Sequence, residues 1–177
     1  MQGSIKIFAY GSLLSETSLR KTVPEARNRY PAKIYGFRRV FNLASHYRYC
    51  PDRQSPVCVL NLQRAGPGTM LNGVCFEMSE ASFAALIDRE QLYEMHEVVV
   101  HRYDDAGSPQ VANLFWARNH EYFSYLSDSR AQRHYLELCL SGCKEFGPGF
   151  IEDFKDSTDF WGVESDAVLE RIWNGSY

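Results

Sequence analysis

Strand-period segments fill the first two thirds of this chain and helix-period segments the last third. That order confines the fold to the α+β class, because strands that follow one another closely pair as hairpins and meanders rather than through helical crossovers. Ile5 to Tyr10 (IKIFAY) is a short apolar run that breaks at Gly11, as a buried strand does on entering a turn, and Ser15 with Glu16 behind it can cap a helix. Ala32 to Leu43, rich in aromatic and β-branched residues, predicts one or two strands, and residues 50–56 a loop. Val57 to Leu62 and Asn72 to Met78 predict two more strands, joined at Ala65-Gly66-Pro67-Gly68 as an antiparallel pair. The period then changes: Ser79 to Glu90 predicts one inserted helix, capped by its serine.

Met95 to Tyr103 and Val111 to Ala117 return to strand character across Asp104-Asp105-Ala106-Gly107. Helices are predicted over Ala131 to Phe146, Ile151 to Ser157 and Ser165 to Trp173, the last capped by Ser165. The sum is a mixed, largely antiparallel sheet curled into a small barrel, with an inserted helix and a helical C-terminus. At 177 residues, without a repeat or a linker composition, the chain reads as a single domain over 1–177.

Composition narrows the partners. A net charge of −3, with both signs interspersed, lacks the basic stripe of a protein that tracks phosphate backbones, so no nucleic acid partner is expected. No window approaches the length of a spanning helix, so no membrane partner is expected either. Five cysteines (50, 58, 75, 139 and 143), an odd number outside any disulfide framework, suggest a reducing, cytoplasmic setting. A monomer and a homodimer fit equally well.

Several motifs resemble sites without meeting their geometry. His96 and His101 are five apart in a valine-rich strand, where they point to opposite faces, whereas a helical zinc pair needs spacing of four. Cys139 and Cys143, one helical turn apart near His134, match core packing better than metal or redox chemistry. Gly66-Pro67-Gly68 lacks the third glycine and following helix of a dinucleotide loop. Ser12 is flanked by Tyr10 and Leu14, not by the glycines of a nucleophile elbow. No metal and no cofactor is expected.

Two features remain. Phe8 to Leu14 leaves a strand through Gly11 and enters a capped helix, a junction where converging N–H groups can hold a carboxylate or an oxyanion. An empty strand-to-helix turn is an equal reading of those residues. Glu90 falls at the C-terminal end of its helix, where the macrodipole disfavours negative charge and raises a carboxyl pKa. Taken alone, Asp88-Arg89-Glu90 reads as a solvated surface cluster.

In combination these pieces resemble a family. FAYGSLL, GFRRVFNLAS, NGVCFEM before a helix ending DREQLY, and HYLELCLSGCKEFG occur in that order, which resembles the gamma-glutamylcyclotransferase superfamily in its ChaC-like style over roughly residues 5 to 160. The resemblance implies a cofactor-free enzyme acting on a small-molecule γ-glutamyl substrate, such as glutathione, a γ-glutamyl dipeptide or a γ-glutamylamine. It implies cyclisation to 5-oxoproline with release of an amine or amino acid. It assigns Glu90 as the catalytic base and Tyr10, Gly11, Ser12 and Leu13 as the turn that holds the α-amino acid end, with Tyr93 and Tyr135 bordering the pocket. Gln91 stands where the family usually has glycine. His46, Tyr47 and Arg48 could line the leaving-group end, but surface placement in a loop is the preferred reading of them. The alternative from another class is a non-catalytic module that binds a γ-glutamyl or amino acid ligand.

Overall fold

In the computed structural model, which describes residues 3–176, five strands close into a barrel. They are β1 (Ser4–Ala9), β2 (Arg27–Tyr35), β5 (Met70–Ser79), β6 (Glu94–Arg102) and β7 (Gln110–Trp116), arranged in the order β1-β5-β2-β6-β7. Four neighbouring pairs are antiparallel, and the seam between β1 and β7 is parallel, with Ile7 opposite Asn113. A second sheet has the order β4-β3-β8, built from β3 (Phe37–Cys50), β4 (Ser55–Arg64) and β8 (Thr158–Phe160). The helices are α1 (Glu16–Thr22), α2 (Glu80–Arg89), α3 (Arg130–Lys144), α4 (Pro148–Asp156) and α5 (Asp166–Asn174).

The antiparallel pair expected between 57–62 and 72–78 does not form. β4 pairs with β3, and β5 pairs with β1 and β2. The reason lies at Gly36, whose φ of +82° turns β2 into β3 as one bent ribbon. Tyr35 faces Met70 on one side of the bend and Phe37 faces Arg64 on the other. Residues 65–69 are therefore an excursion opposite the bend, tied to it by Gly36 N–H to Thr69 O (2.9 Å) and Ala65 N–H to Gly36 O (3.0 Å). The two runs share a long partner and do not face each other.

Other elements differ in detail. β2 starts before the expected strand, β3 runs on to Cys50, and β8 lies outside every expected segment because three residues carry no readable period. Ser165 precedes α5, but its side chain makes no cap bond; its carbonyl accepts from Val168 and Leu169 instead.

Helix α3 is what ties the sheets to the site. The buried Gln132 side chain reads the β4 backbone like another strand, accepting from Cys58 N–H (2.8 Å) and donating to Cys58 O (2.8 Å). Ten residues later Gly142 rests on the backbone of Leu14 and Ser15, where a Cβ would overlap the chain. A glycine in mid-helix costs about 1 kcal/mol against alanine, and here it permits that contact. All five cysteines are buried as free thiols, and His134 is exposed on α3 while Cys139 is buried. No helix among the described residues is long and apolar enough to cross a membrane.

Candidate active site

β1 runs into the barrel end and stops at Gly11, where a one-turn 3-10 helix, Ser12–Leu14, begins. That turn uses Leu14 N–H (to Gly11 O, 2.9 Å) and Ser15 N–H (to Ser12 O, 3.3 Å). The N–H groups of Ser12 and Leu13 lie outside its own bonding, as the first donors of any helix do. Gly11 has negative φ, so the left-handed region is not its reason. Its place is set by proximity: a Cβ there would point at the Tyr135 hydroxyl, 3.4 Å away.

Beneath the turn sits Arg39, fully buried, a residue whose function the sequence reading missed. Its guanidinium donates to the carbonyls of Tyr10 (2.8 Å) and Asn72 and to Ser157 Oγ (2.6 Å), and it lies 4.4 Å over the Phe154 ring. Burial pushes its pKa down to about 10, which still leaves it charged at neutral pH. Among the described residues no carboxylate pairs with it, so its charge backs the 10–13 turn uncompensated. Only its place in an arginine pair after a strand-like run signals it in the sequence.

Glu90 caps the C-terminus of α2, with its N–H bonded to Leu86 O and Ile87 O. Its side chain is 17% exposed and lies 3.6 Å from Arg89 Nε. Burial raises the Glu90 pKa, and the Arg89 charge opposes that rise. The dominant cause is removal from water. Tyr93 N–H closes a turn on Glu90 O (2.9 Å). Gln91, inside that turn, has no positive φ, so the usual glycine is not needed for it to form.

Tyr10, Gly11, Ser12, Leu13, Glu90, Tyr93 and Tyr135 converge on one pocket, whose remaining walls include Leu60 and Phe115. The sequence reading did not single out those last two. Each tyrosine is fixed by the backbone: Tyr10 Oη donates to Phe115 O (2.6 Å) and Tyr93 Oη to Leu60 O (2.9 Å), while Tyr135 Oη accepts Leu60 N–H (3.4 Å). Burial raises all three phenol pKa values, so the hydroxyls stay neutral. Tyr135 differs from the other two in that its hydroxyl is hydrogen-bonded to a side chain, the Cys139 thiol, instead of donating to a backbone carbonyl.

A second, wider pocket adjoins the first and shares Ser12, Glu90, Tyr93 and Tyr135 with it. Its outer wall is Ser45, His46, Tyr47 and Arg48, which belong to β3 and not to a surface loop. Elsewhere, His96 packs on Trp116 and His101 on Tyr35, and no group of metal-ligating side chains occurs among the described residues.

The fold has known relatives. It matches a gamma-glutamyl cyclotransferase structure with a TM-score of 0.70 at 20% identity, over 98% of this chain and all of that one. An uncharacterized human protein matches with a TM-score of 0.69 at 21% identity, over 96% of this chain and 98% of that one. A yeast gamma-glutamyl cyclotransferase specific to glutathione matches with a TM-score of 0.61 at 15% identity, over 99% of this chain and all of that one. No curated protein matches the sequence. The family model for ChaC-like proteins matches residues 5–142, and the chain belongs to that family, within the gamma-glutamylcyclotransferase superfamily.

Proposed function

We propose that this protein is a γ-glutamylcyclotransferase that releases 5-oxoproline from a γ-glutamyl amide without a cofactor. One observation carries the reading: a largely buried carboxylate of raised pKa, Glu90, shares a pocket with the N–H groups of Ser12 and Leu13 at the start of a 3-10 turn. Family membership supports it. The turn suits the α-carboxylate of the γ-glutamyl group, helped by the buried Arg39 charge behind it. Glu90 suits the α-ammonium, from which it takes a proton.

The freed amine attacks the γ-carbonyl of the same molecule, so holding the chain curled supplies most of what the reaction needs. A C–N bond forms, the five-membered ring closes, and the amide C–N bond to the leaving group breaks. Glu90 passes its proton to the departing nitrogen and takes the second proton from the ring nitrogen, and that proton leaves to solvent or to the released amine. The Tyr135 hydroxyl beside Gly11 is positioned to support the developing oxyanion, exchanging its contact with the Cys139 thiol for one to substrate.

The test is mass-spectrometric detection of 5-oxoproline from glutathione, γ-glutamyl dipeptides and γ-glutamylamines. Glu90→Gln should lower turnover by about 10²–10⁴-fold with an intact fold; retained activity would remove Glu90 as the base. A folded wild-type protein that is thermally stabilised by these compounds but yields no product would be a binding module.

A further inference from the structure

The ladder between β3 and β4 slips twice, by a single residue at Asn42 and by more after Ala44. Ala44 faces Cys58 and the next regular pair is Tyr49 with Pro56, so five steps on β3 answer two on β4. The surplus falls within residues 45–48, the same residues that form the outer wall of the wide pocket. A bulge of this kind re-aims side chains, and such bulges gather beside active sites. Two contacts hold it in shape. Ser45 Oγ accepts the N–H groups of Tyr47 (3.2 Å) and Arg48 (3.0 Å), and Tyr47 Oη donates to Arg89 O (2.7 Å) at the end of α2.

Two guanidiniums line this wide pocket. Arg89 is engaged, by the Glu90 carboxylate and by the Thr22 hydroxyl. Arg48 stacks 5.1 Å over the ring of Tyr135, and among the described residues no carboxylate or carbonyl takes its N–H donors. Stacking immobilises the group at little cost to its hydrogen-bonding capacity, so the donors stand ready for a planar anion. Tyr135 also borders the inner pocket, so a leaving group that extends outward from the γ-carbonyl passes along the ring on which Arg48 rests.

From this geometry we infer that Arg48 is a specificity residue that binds a carboxylate on the leaving group. The substrate class is then γ-glutamyl amino acids and peptides, not γ-glutamylamines. This rests on the reaction proposed above, but its test separates the two. Two pairs of compounds differ only in that carboxylate: γ-glutamylalanine against γ-glutamylethylamide, and glutathione against its glycine amide. The first pair probes an amino acid leaving group, the second a dipeptide.

Binding is measured by calorimetry on Glu90→Gln, in which turnover is suppressed, and kcat/KM on the wild type. In at least one pair the carboxylate compound should bind about tenfold or more tightly, as a charge-assisted pair at a partly exposed site does. Adding Arg48→Gln should erase the preference while leaving affinity for the uncharged compound within about twofold. Equal affinity within both pairs, or an Arg48→Gln loss that falls equally on charged and uncharged compounds, overturns the inference. A binding preference without 5-oxoproline from any compound would sink the reaction and leave this assignment standing.

Discussion

Around the inner pocket nearly every group is held by backbone, while around the outer pocket the wall is made of side chains on a bulge. Tyr10, Tyr93 and Tyr135 each touch a main-chain atom, Arg39 holds the Tyr10 carbonyl, and Gly142 brings α3 onto Leu14 and Ser15. The bulge at 45–48 has one serine and one tyrosine hydroxyl to keep its shape, and Tyr47 is 66% exposed. The proposed reaction, common to every γ-glutamyl substrate, needs fixed donors and a fixed base. A leaving group that varies needs only a wall that sequence change can alter without moving the base. The difference teaches where to cut: damage to the inner support should reach every substrate through kcat, and damage to the bulge should reach some substrates through KM.

Gly142→Ala is the sharpest attempt to break that division. The added methyl overlaps main-chain atoms of Leu14 and Ser15, which cannot swing aside as a side-chain tip would. Overpacking of this kind costs about 1–3 kcal/mol, and relief requires α3 or the 12–14 turn to shift. We expect a lower melting temperature and a fall in kcat for all turned-over compounds, measured side by side. A variant that melts normally with normal kcat would show that the α3 contact does not fix the turn.

Tyr47→Phe probes the other half with a smaller effect. It removes the hydroxyl that donates to Arg89 O and nothing else. An exposed hydrogen bond is worth about 0.5–1 kcal/mol net, so KM for carboxylate-bearing compounds should rise about two- to fivefold, with kcat unchanged. A fall in kcat instead would mean that the bulge steadies Glu90 through the end of α2, and the two halves would not be independent.

The same division explains what the sequence discloses. The inner site is legible because its parts are short and local: a strand ending at Gly11, and a helix ending at Glu90. Periodicity also locates β1, α2, β6, β7 and α3 to within a few residues. It fails where partners are chosen at a distance. Nothing local says that β4 answers β3 rather than β5, because the choice is made by the bend at Gly36. Arg39 and Gly142 escape for a similar reason: each matters through a backbone segment more than twenty residues away. Gly142, an isolated glycine within a helical pattern, does carry a readable signal. The bulge at 45–48 is invisible because a run of His-Tyr-Arg-Tyr fits a loop as well as a strand that has lost register.

The smallest predicted effect concerns stability and isolates the cost of the inner site itself. Burial raises the Glu90 pKa in the folded protein above its unfolded value. The folded state then holds that proton more tightly than the unfolded state does, so this group's contribution to stability falls as pH rises from the ordinary carboxylate range through the raised value. Glu90→Gln has no such proton to lose. The melting temperature of the variant relative to wild type should therefore increase on going from pH 4 to pH 8 and level off above the raised pKa. In the proposed reaction the dependence runs the opposite way, because a base at Glu90 must be ionised: wild-type kcat/KM should fall as pH drops through the same value. A variant that gains nothing in relative stability toward pH 8 would mean that the folded protein solvates the Glu90 carboxylate as well as water does. The inner pocket would then hold an ordinary surface acid, and its contrast with the outer wall would rest on the turn alone.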